Sequence, residues 1–376
     1  MRPIQPERLV ARWRQLVELE SGSRDAAGIE AVADVMSAWL AALGFDVRRE
    51  GRTQAGAAHI VASRPGAGSR VLLLGHLDTV WPAGTLARIP FTIDGDTATG
   101  PAIADMKGGL AVMLEALEIT DAAPPVTVVL TADEELGTPT GRAIVERAAA
   151  GCAACLVFEA GRPNGALVNR RRAVAVFELL IEGRTAHVAH NPERGVNAID
   201  ELAYQLLALR RLRAPERDVY VMAGVVEGGT ARQVVPDRAR ALIDVRASTQ
   251  ASMNRVIARL QRTTARTHIP EARVQLTGGQ TRPPMVPTAA TARLGALIDG
   301  VARATGSEVA YADAGGGSDG CFTAALGIPT IDGFGPPGRD LCSLREQASV
   351  AGAETRALLV AGILERFAVP DVSRDD

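Results

Sequence analysis

The sequence lacks several features that would assign it to a specialised class. Four cysteines in a chain of 376 residues are too few for a disulfide framework, and the C-x-x-C pair Cys152 and Cys155 leads into an apolar strand, where packing is expected. No apolar run approaches the length of a membrane span. The N-terminus has neither the apolar core nor the cleavage site of a signal peptide. We therefore expect a cytoplasmic protein that does not enter a membrane.

An excess of either charge is also missing. The chain has 41 Lys and Arg against 43 Asp and Glu, a formal net charge of −2, which leaves no electrostatic footprint for nucleic acid. Lysine is nearly absent: Lys107 is the only one, which we interpret mainly as a bias of composition. The 47% of hydrophobic residues is enough for a sizeable core, and the length favours two domains.

Apolar strands alternate with helical patterns at both ends of the chain, and the order changes in the middle. Alternation such as VLLLGHLDTV, MKGGLAVMLEALEI and VTVVLTADEE predicts an α/β domain with a mostly parallel sheet covered by helices. Residues 173–283 follow the order strand, helix, strand, strand, helix, strand, which is typical of a small α+β domain with an antiparallel sheet. The sequence thus predicts a catalytic domain split over residues 1–172 and 284–376, whose tail DVSRDD we expect to fray.

Metal-ligating residue types follow successive apolar strands. They are His76 with Asp78, Asp105, the run Asp133-Glu134-Glu135, and Glu159. Taken alone, the first pair equally fits a packed histidine beside a turn aspartate, and the acidic run fits a solvated turn. Ligand-binding groups in parallel sheets gather at the carboxyl ends of the strands, so their coincidence there favours a metal site.

At this point the sequence resembles a known family, the clan MH zinc peptidases, which includes bacterial glutamate carboxypeptidase, aminoacylase and succinyl-diaminopimelate desuccinylase. The motifs that carry the resemblance are GHLDTV, GPAIADMKGG, TADEELGT, EAGRPNGALVNRRRAV, GRTAHVAH, GGTARQVVPDRARALIDVR and GGGSDG. The resemblance implies a zinc-dependent amidohydrolase or carboxypeptidase that cuts an amide bond next to a free carboxylate. It also implies two zinc ions per subunit, a homodimer, and an inserted domain that serves as lid and dimerisation domain.

The resemblance also implies roles for individual residues. His76, Asp105 and Glu159 would hold one zinc ion, and Asp105 would bridge to a second ion held also by Glu135. Glu134 would be the general base that takes a proton from the metal-bound water and leaves a hydroxide to attack the amide. The remaining implied residues are Asp78, which orients His76; His187, which stabilises the tetrahedral intermediate from the partner subunit; Arg282, which clamps the substrate carboxylate; Gln233, in place of the usual substrate-binding Asn; and Arg246, a weaker substrate candidate.

The sequence departs from the family at the last zinc ligand. Cys342 stands where the family has a histidine, and no histidine follows His268. A thiolate is a good zinc ligand, so Cys342 is one candidate for the missing position. In the alternative, the second metal is altered or lost and Cys342 is a thiol beside a degenerate site. Such a divergent member would bind a carboxylated ligand, or form or transfer an amide in a biosynthetic pathway.

Overall fold

The structure is a computed structural model that describes residues 1–369, so residues 370–376, including the tail expected to fray, lie outside the described residues. The chain divides into two compact units. Unit 1 consists of Met1–Arg171, Met285–Ala314 and the described part of Ser318–Asp376, and unit 2 consists of Arg172–Pro284 with Gly315–Gly317. Unit 1 is therefore discontinuous in sequence.

The strands are named in chain order. The first eight are β1 (Asp46–Glu50), β2 (His59–Arg64), β3 (Val71–His76), β4 (Thr92–Asp94), β5 (Thr97–Thr99), β6 (Val126–Thr131), β7 (Ala154–Val157) and β8 (Leu167–Arg171). They are followed by β9 (Ala173–Glu182), β10 (Val219–Gly228), β11 (Arg238–Ala247), β12 (Arg273–Arg282), β13 (Tyr311–Ala314), β14 (Thr330–Ile331), β15 (Gly338–Arg339) and β16 (Gln347–Ser349).

The helices are named in the same way. They are α1 (Pro6–Glu18), α2 (Ala26–Ala42), α3 (Gly108–Ile119), α4 (Arg142–Ala149), α5 (Ala198–Arg210), α6 (Gln250–Thr264), α7 (Ala289–Ala304), α8 (Gly320–Ala325) and α9 (Val350–Ala368). Helix α1 buries Leu9, Trp13, Leu16 and Val17, which the 3.6-residue period of a helix places on one face. Fully burying such a side chain contributes about 1.5–3 kcal/mol, so this face fastens α1 to the core.

The main sheet of unit 1 has the strand order β1-β2-β6-β3-β7-β14. Strand β3 runs parallel to β6 and to β7, and β14 runs parallel to β7, whereas β1 and β2 form an antiparallel edge. Every residue of β3 and of β6 is buried, as expected for strands whose two faces are both covered. The α/β class with a mostly parallel sheet is confirmed.

Unit 2 contains an antiparallel sheet with the order β10-β11-β9-β12. Helices α5 and α6 cover one face of this sheet, where their apolar residues join those of the strands in one cluster of buried side chains. Strands and helices follow one another as strand, helix, strand, strand, helix, strand, which is the order that the sequence predicts. Strands β10 and β12 are the two edges of the sheet.

None of the helices within residues 1–369 combines the length and the apolar character that a membrane span requires.

Candidate metal centre

The polar residues that follow the parallel strands of unit 1 lie close together. His76 is the last residue of β3, Glu134 and Glu135 follow β6 in a short 3-10 turn, and Glu159 follows β7. Asp105 precedes α3, in the segment Ile103–Lys107. The carboxyl ends of neighbouring parallel strands meet at the same edge of a sheet, so this topology collects side chains that are distant in sequence.

Helix α3 approaches the end of β7 closely because it begins with glycines. A Cβ atom on Gly109 would lie 1.9 Å from the carbonyl oxygen of Phe158, so no larger residue fits at this position. Gly109 thereby allows the segment that carries Asp105 to lie against the strand end that carries Glu159.

Two groups of ligand atoms overlap at His76. One comprises His76, Asp105 and Glu135, the other comprises His76, Glu134 and Glu159, and in each group the ligand atoms lie within 4.8 Å of one another. The Nε2 atom of His76 is 3.5 Å from Asp105 Oδ1 and 3.7 Å from Glu159 Oε1. The edge of the sheet thus brings together one imidazole and four carboxyl groups.

The ring of His76 is oriented for binding through its Nε2 atom. Its Nδ1 atom lies 2.9 Å from the backbone carbonyl oxygen of Asp78, which can only accept a hydrogen bond. Nδ1 therefore carries a proton, and Nε2 is the nitrogen that faces Asp105 and Glu159 and that would bind an ion through its lone pair. The carboxylate of Asp78 is more distant, at 3.6 Å from Nδ1. It is the carbonyl of Asp78, rather than its carboxylate, that contacts the ring.

The Asp78 carboxylate instead holds the loop that carries the two glutamates. Its Oδ1 atom accepts a hydrogen bond from the backbone N–H of Glu134 at 3.0 Å, and its Oδ2 atom accepts one from the N–H of Glu135 at 3.2 Å. Asp78 is 1% exposed. A buried carboxylate with two amide donors fixes the position of the loop, so Asp78 links the end of β3 to the end of β6.

The carboxyl groups of the cluster cannot all ionise easily in the absence of a cation. Burial raises the pKa of Glu135 to about 8, and burial together with the Asp105 charge raises the pKa of Glu159 well above its usual value. Burial opposes ionisation of His76, but its hydrogen bond to Asp105 and the nearby carboxylates outweigh it and raise the pKa of His76. Repulsion of this kind is relieved when a cation sits between the carboxylates.

The donor set fits a divalent metal. The Oε1 atom of Glu135 is buried and makes no hydrogen bond within residues 1–369, which is costly for a carboxylate that has no other partner. A neutral imidazole nitrogen and carboxylate oxygens are the ligands that zinc takes in catalytic sites. An ion at this edge of the sheet would supply the partner that Glu135 lacks.

Cys342 lies at the margin of this cluster. Its Sγ atom is 3.6 Å from Asp105 Oδ2, its side chain is exposed, and its backbone has the left-handed φ of 56°. Partial burial and the neighbouring carboxylates of Asp105, Glu135 and Glu346 raise the pKa of the thiol. The thiol is therefore neutral beside these carboxylates, and a cation is needed to stabilise its thiolate. The other three cysteines are free and buried, which confirms the packing role expected for the C-x-x-C pair.

Glu346 supports two turns of the centre through backbone contacts that the sequence does not reveal. Its Oε1 atom accepts hydrogen bonds from the backbone N–H groups of Ala104 at 2.9 Å and Asp105 at 3.0 Å, and its Oε2 atom accepts one from Cys342 at 3.2 Å. The residue is 2% exposed. One buried carboxylate thus holds both the Asp105 turn and the Cys342 turn. In the sequence, Glu346 and Gln347 lie on either side of the place where the resembled family has an acidic residue after its last zinc ligand, which marks this segment but not its contacts.

A second buried network holds the loop between β6 and α4. The Nε2 atom of His59 lies 2.9 Å from Thr140 Oγ1, its Nδ1 atom accepts from the N–H of Ala132 at 3.0 Å, and Thr140 donates to Asp133 Oδ2 at 2.6 Å. Because Nδ1 accepts, Nε2 carries the proton and donates to Thr140. Burial lowers the pKa of His59, which keeps the ring neutral.

The GGGSDG motif contributes to the same loop through its aspartate. Asp319 is buried and accepts hydrogen bonds from the hydroxyl groups of Thr131, at 2.7 Å, and Thr138. These two threonines flank the turn that carries Glu134 and Glu135. Asp319 therefore fixes both ends of that turn.

Lys107, singled out by its rarity, supports the Asp105 turn. Its Nζ atom donates to the carbonyl oxygen of Leu19, and its backbone N–H donates to Ala102 at 3.1 Å. Burial lowers the pKa of this lysine to about 7, with Glu20 opposing the shift. The side-chain amine of Lys107 is therefore engaged in a structural contact.

The four remaining predicted residues belong to unit 2. His187 is exposed, its Nδ1 atom accepts from the N–H of Ala189 at 3.1 Å, and its segment bridges to Val234 beside Gln233. Arg282 ends β12 and is buried. Arg246, on β11, donates to the carboxylate of Asp244 at 2.7 and 2.9 Å and therefore has a partner of its own.

Proteins of known activity resemble this chain over most of its length. Carboxypeptidase G2 of Pseudomonas sp. (strain RS-16) is 29% identical over 344 residues, which cover 88% of this chain and 82% of that protein. Succinyl-diaminopimelate desuccinylase of Leptothrix cholodnii is 31% identical over 372 residues, covering 90% of this chain and 93% of that protein.

Solved structures share the fold. A tripeptidase from Staphylococcus aureus superimposes with a TM-score of 0.81 at 21% identity, covering 97% of this chain and 99% of its own. An M20 family metallo-carboxypeptidase from Sulfolobus solfataricus superimposes with a TM-score of 0.77 at 16% identity, covering 96% and 99%. A family model, peptidase family M20/M25/M40, matches residues 72–366. The chain belongs to this peptidase family and is a metal-dependent hydrolase.

Proposed function

We propose that this hydrolase cuts the amide bond of an N-acyl amino acid or a short peptide next to a free carboxylate. The observation that carries the proposal is the convergence of His76, Asp105, Glu135 and Glu159 around Glu134 at one edge of the sheet. The carboxypeptidase and desuccinylase similarities support an amide as the bond that is cut.

The chain's own residues would hold two metal ions, which we take to be zinc. His76, Asp105 and Glu159 would hold one ion, and Asp105 would bridge to a second ion held by Glu135 and Cys342. When bound, the metal pair would supply a Lewis acid that polarises the amide carbonyl and lowers the pKa of a water molecule. The support for this set is the shared contact of Asp105 with His76 and with Cys342.

Glu134 would move the proton. Its carboxyl group lies in the group with His76 and Glu159, and its backbone is fixed by the Asp78 carboxylate. From this position the Glu134 carboxylate would accept a proton from the attacking water and deliver it to the nitrogen of the leaving amine. A base held by its backbone keeps its carboxylate aimed at one place, which general base catalysis requires.

Unit 2 would bind the rest of the substrate and complete the site. Arg282 would clamp the free carboxylate through its bidentate fork. His187, from the partner subunit, would stabilise the developing charge on the carbonyl oxygen, with Gln233 beside it. Arg246 is the weaker candidate for carboxylate binding, since Asp244 already pairs with it.

A homodimer through unit 2 is part of the proposal. Strand β10 is an edge of the unit 2 sheet, and Met222, Val225 and Val226 on it are 55%, 41% and 54% exposed. An edge strand with exposed apolar side chains is a template for pairing with a second chain. Docking of two unit 2 sheets would cover these side chains.

One observation is consistent with the alternative function. Cys342 is exposed and belongs to neither group of ligand atoms within residues 1–369, as expected if the second metal position is altered. A chain with one ion would bind a carboxylated ligand or act on an amide in a biosynthetic direction. The two functions differ in metal content and in net hydrolysis, so one experiment separates them.

The test measures zinc content and hydrolysis of N-acyl derivatives of L-glutamate, L-alanine and L-lysine together. We expect wild type to bind two zinc ions and hydrolyse at least one derivative, and Glu134→Gln to keep its zinc but lose about 10²- to 10⁴-fold in rate. Cys342→Ala should bind one zinc ion, whereas Cys342→His, which puts an imidazole in place of the thiol, should bind two ions like the wild type. A wild-type protein that binds no metal and hydrolyses nothing would refute the proposed function.

Alkylation of Cys342 gives a readout that does not depend on activity. Cys342 is the exposed cysteine and the other three are buried, so iodoacetamide should modify it selectively in the folded metal-free protein. Zinc should protect it if the thiolate binds the ion. Unchanged alkylation with two zinc ions bound would show that Cys342 is not a ligand.

A further inference from the structure

A cavity opens beside Glu135, within unit 1. Its volume is about 470 Å³, within the range of small-molecule sites. It is lined by three segments, Gly22–Asp25, Thr79–Ala83 and Glu135–Leu136, and we call it the Trp81 cavity. Glu135 lines the cavity and also belongs to the candidate metal centre, so the cavity adjoins the centre.

The lining of the Trp81 cavity is mainly apolar. Val80 is 45% exposed and Leu136 is 46% exposed, and Trp81 and Pro82 lie between them in the wall. Large apolar side chains left accessible to water next to a catalytic centre are typical of a surface that a ligand covers.

The walls are held in place before any ligand arrives. The N–H of Thr79 donates to the carbonyl oxygen of Ser21 at 2.8 Å, and the N–H of Ser23 donates to the carbonyl oxygen of Thr79 at 3.0 Å. The carboxylate of Glu20 accepts from the N–H groups of Gly84 and Leu86, each at 2.7 Å. A cavity whose two walls are bonded to each other loses little conformational entropy when it binds a ligand.

The close approach of the two walls depends on a glycine. A Cβ atom on Gly22 would lie 2.6 Å from the carbonyl oxygen of Trp81, so a larger residue would push the walls apart. The shape of the cavity is therefore set by the sequence at both walls.

The side-chain charges of the cavity do not suit an acidic group. Arg24 and Asp25 carry opposite charges, and the Asp25 carboxylate caps α2 by accepting from the N–H of Gly28 at 3.1 Å. The remaining ionisable group is Glu135. The lining thus has one cation, Arg24, whose charge Asp25 balances, and it has no pair of cations for an acidic group.

We propose that the Trp81 cavity binds an uncharged, apolar acyl group of the substrate, aromatic or branched aliphatic. The inference rests on the proposed function, in which the substrate has one flank with a free carboxylate and one acyl flank. The mainly apolar lining suits the acyl flank better than the carboxylate flank, for which the cavity offers only Arg24, whose charge Asp25 balances. The acyl flank is thereby assigned to it, and the enzyme selects apolar acyl groups over acetyl and succinyl groups.

The test compares kcat/KM for N-benzoyl, N-acetyl and N-succinyl derivatives of L-glutamate and of L-alanine. Wild type should prefer benzoyl over acetyl by about 10- to 200-fold, the range that apolar pockets achieve. Val80→Ala and Leu136→Ala should each lower this ratio at least about fivefold. Leu136→Arg should raise the succinyl-to-benzoyl ratio about tenfold, because it replaces an apolar wall residue with a second cation beside Arg24.

The matched control is Leu326→Ala, since Leu326 is 51% exposed and does not line the cavity. It should leave both ratios unchanged, and zinc content should be equal in all variants. Equal rates on acetyl and benzoyl substrates, with ratios that none of the variants change, would overturn the proposal while leaving hydrolysis established.

A binding measurement separates failure of this proposal from failure of the proposed function. Calorimetry with zinc-loaded Glu134→Gln should give a Kd for N-benzoyl-L-glutamate or N-benzoyl-L-alanine at least about tenfold below that of the acetyl compound. If Glu134→Gln binds the benzoyl compound selectively but the wild type hydrolyses none of the substrates, the hydrolytic function is refuted and the assignment of the cavity stands. Binding without selectivity would sink the assignment.

Discussion

Removal of the Glu346 carboxylate should disable the metal centre without touching a predicted ligand. In Glu346→Ala the buried N–H groups of Ala104 and Asp105 lose their acceptor, while the N–H of Cys342 can reach water because that turn is exposed. A buried donor left unsatisfied costs about 1–3 kcal/mol, so the two amides together should cost about 2–6 kcal/mol of unfolding free energy. Outer-shell losses of this kind lower metal affinity by about 10- to 100-fold.

Glu346→Gln provides a graded comparison. The amide oxygen of glutamine can replace Oε1, which accepts from Ala104 and Asp105, but its NH₂ group would then face the N–H of Cys342. We expect a loss near 1 kcal/mol and a weakening confined to the Cys342 side of the centre. Zinc should therefore still bind once, but should no longer protect Cys342 from iodoacetamide.

The assay combines zinc titration against a fluorescent chelator, denaturant unfolding and the rate of Cys342 alkylation. Glu308→Ala, which removes an exposed carboxyl group in the same unit, is the control and should leave all three unchanged. If Glu346→Ala binds two zinc ions with wild-type affinity, the carboxylate does not position the Asp105 and Cys342 turns and the reasoning fails.

Three further predictions concern other parts of the molecule. His59→Ala should lower the unfolding free energy by about 2–4 kcal/mol, and it should reduce kcat more than it changes KM because the loop held through Thr140 carries Glu134, the proposed general base. Equal kcat in His59→Ala and wild type would contradict this. Asp332→Ala should lower the free energy of unfolding by about 3–5 kcal/mol, because it removes the carboxylate that lies 2.7 Å from the Nε atom of the buried Arg171. Denaturant unfolding measures this loss, and a value below about 1 kcal/mol would refute a stabilising role for the pair. Val226→Glu should shift the sedimentation coefficient from that of the proposed dimer to that of a monomer, and it should lower activity because the partner's His187 is lost from the site. An unchanged sedimentation coefficient would exclude β10 as the interface.

Sequence patterns predicted much of the fold because the determining features are local. An uninterrupted apolar run identifies β3 and a period of 3.6 residues identifies α1, each from its own residues, and the change of order at unit 2 follows from local signals of the same kind. The positions of His76, Glu135 and Glu159 after strands were likewise visible. Parallel topology then places strand ends together, which is why the convergence of these residues could be anticipated.

The supports of the centre could not be predicted, because they depend on contacts between distant segments. Glu346 is 242 residues from Ala104 in sequence, and no periodic pattern connects the two. His59 begins an apolar strand, where its sequence neighbours indicate packing and not a hydrogen-bonded link to Thr140. The Asp78 prediction was incomplete for a related reason: sequence identifies the carboxylate but cannot show that the backbone carbonyl meets His76.

The discontinuity of unit 1 has a consequence for how the protein is made on the ribosome. Unit 2 lies almost entirely within one continuous stretch, so it can fold while the chain is still being synthesised, as domains generally do. Unit 1 cannot finish until β14, α8 and α9 have emerged, and Glu346 and Cys342 are among the last residues of the centre to be translated. A nascent chain would therefore carry His76, Asp105, Glu135 and Glu159 long before the carboxylate that fixes the Asp105 turn exists. Competence to hold metal in the final geometry is therefore acquired only after Glu346 and α9 have been translated.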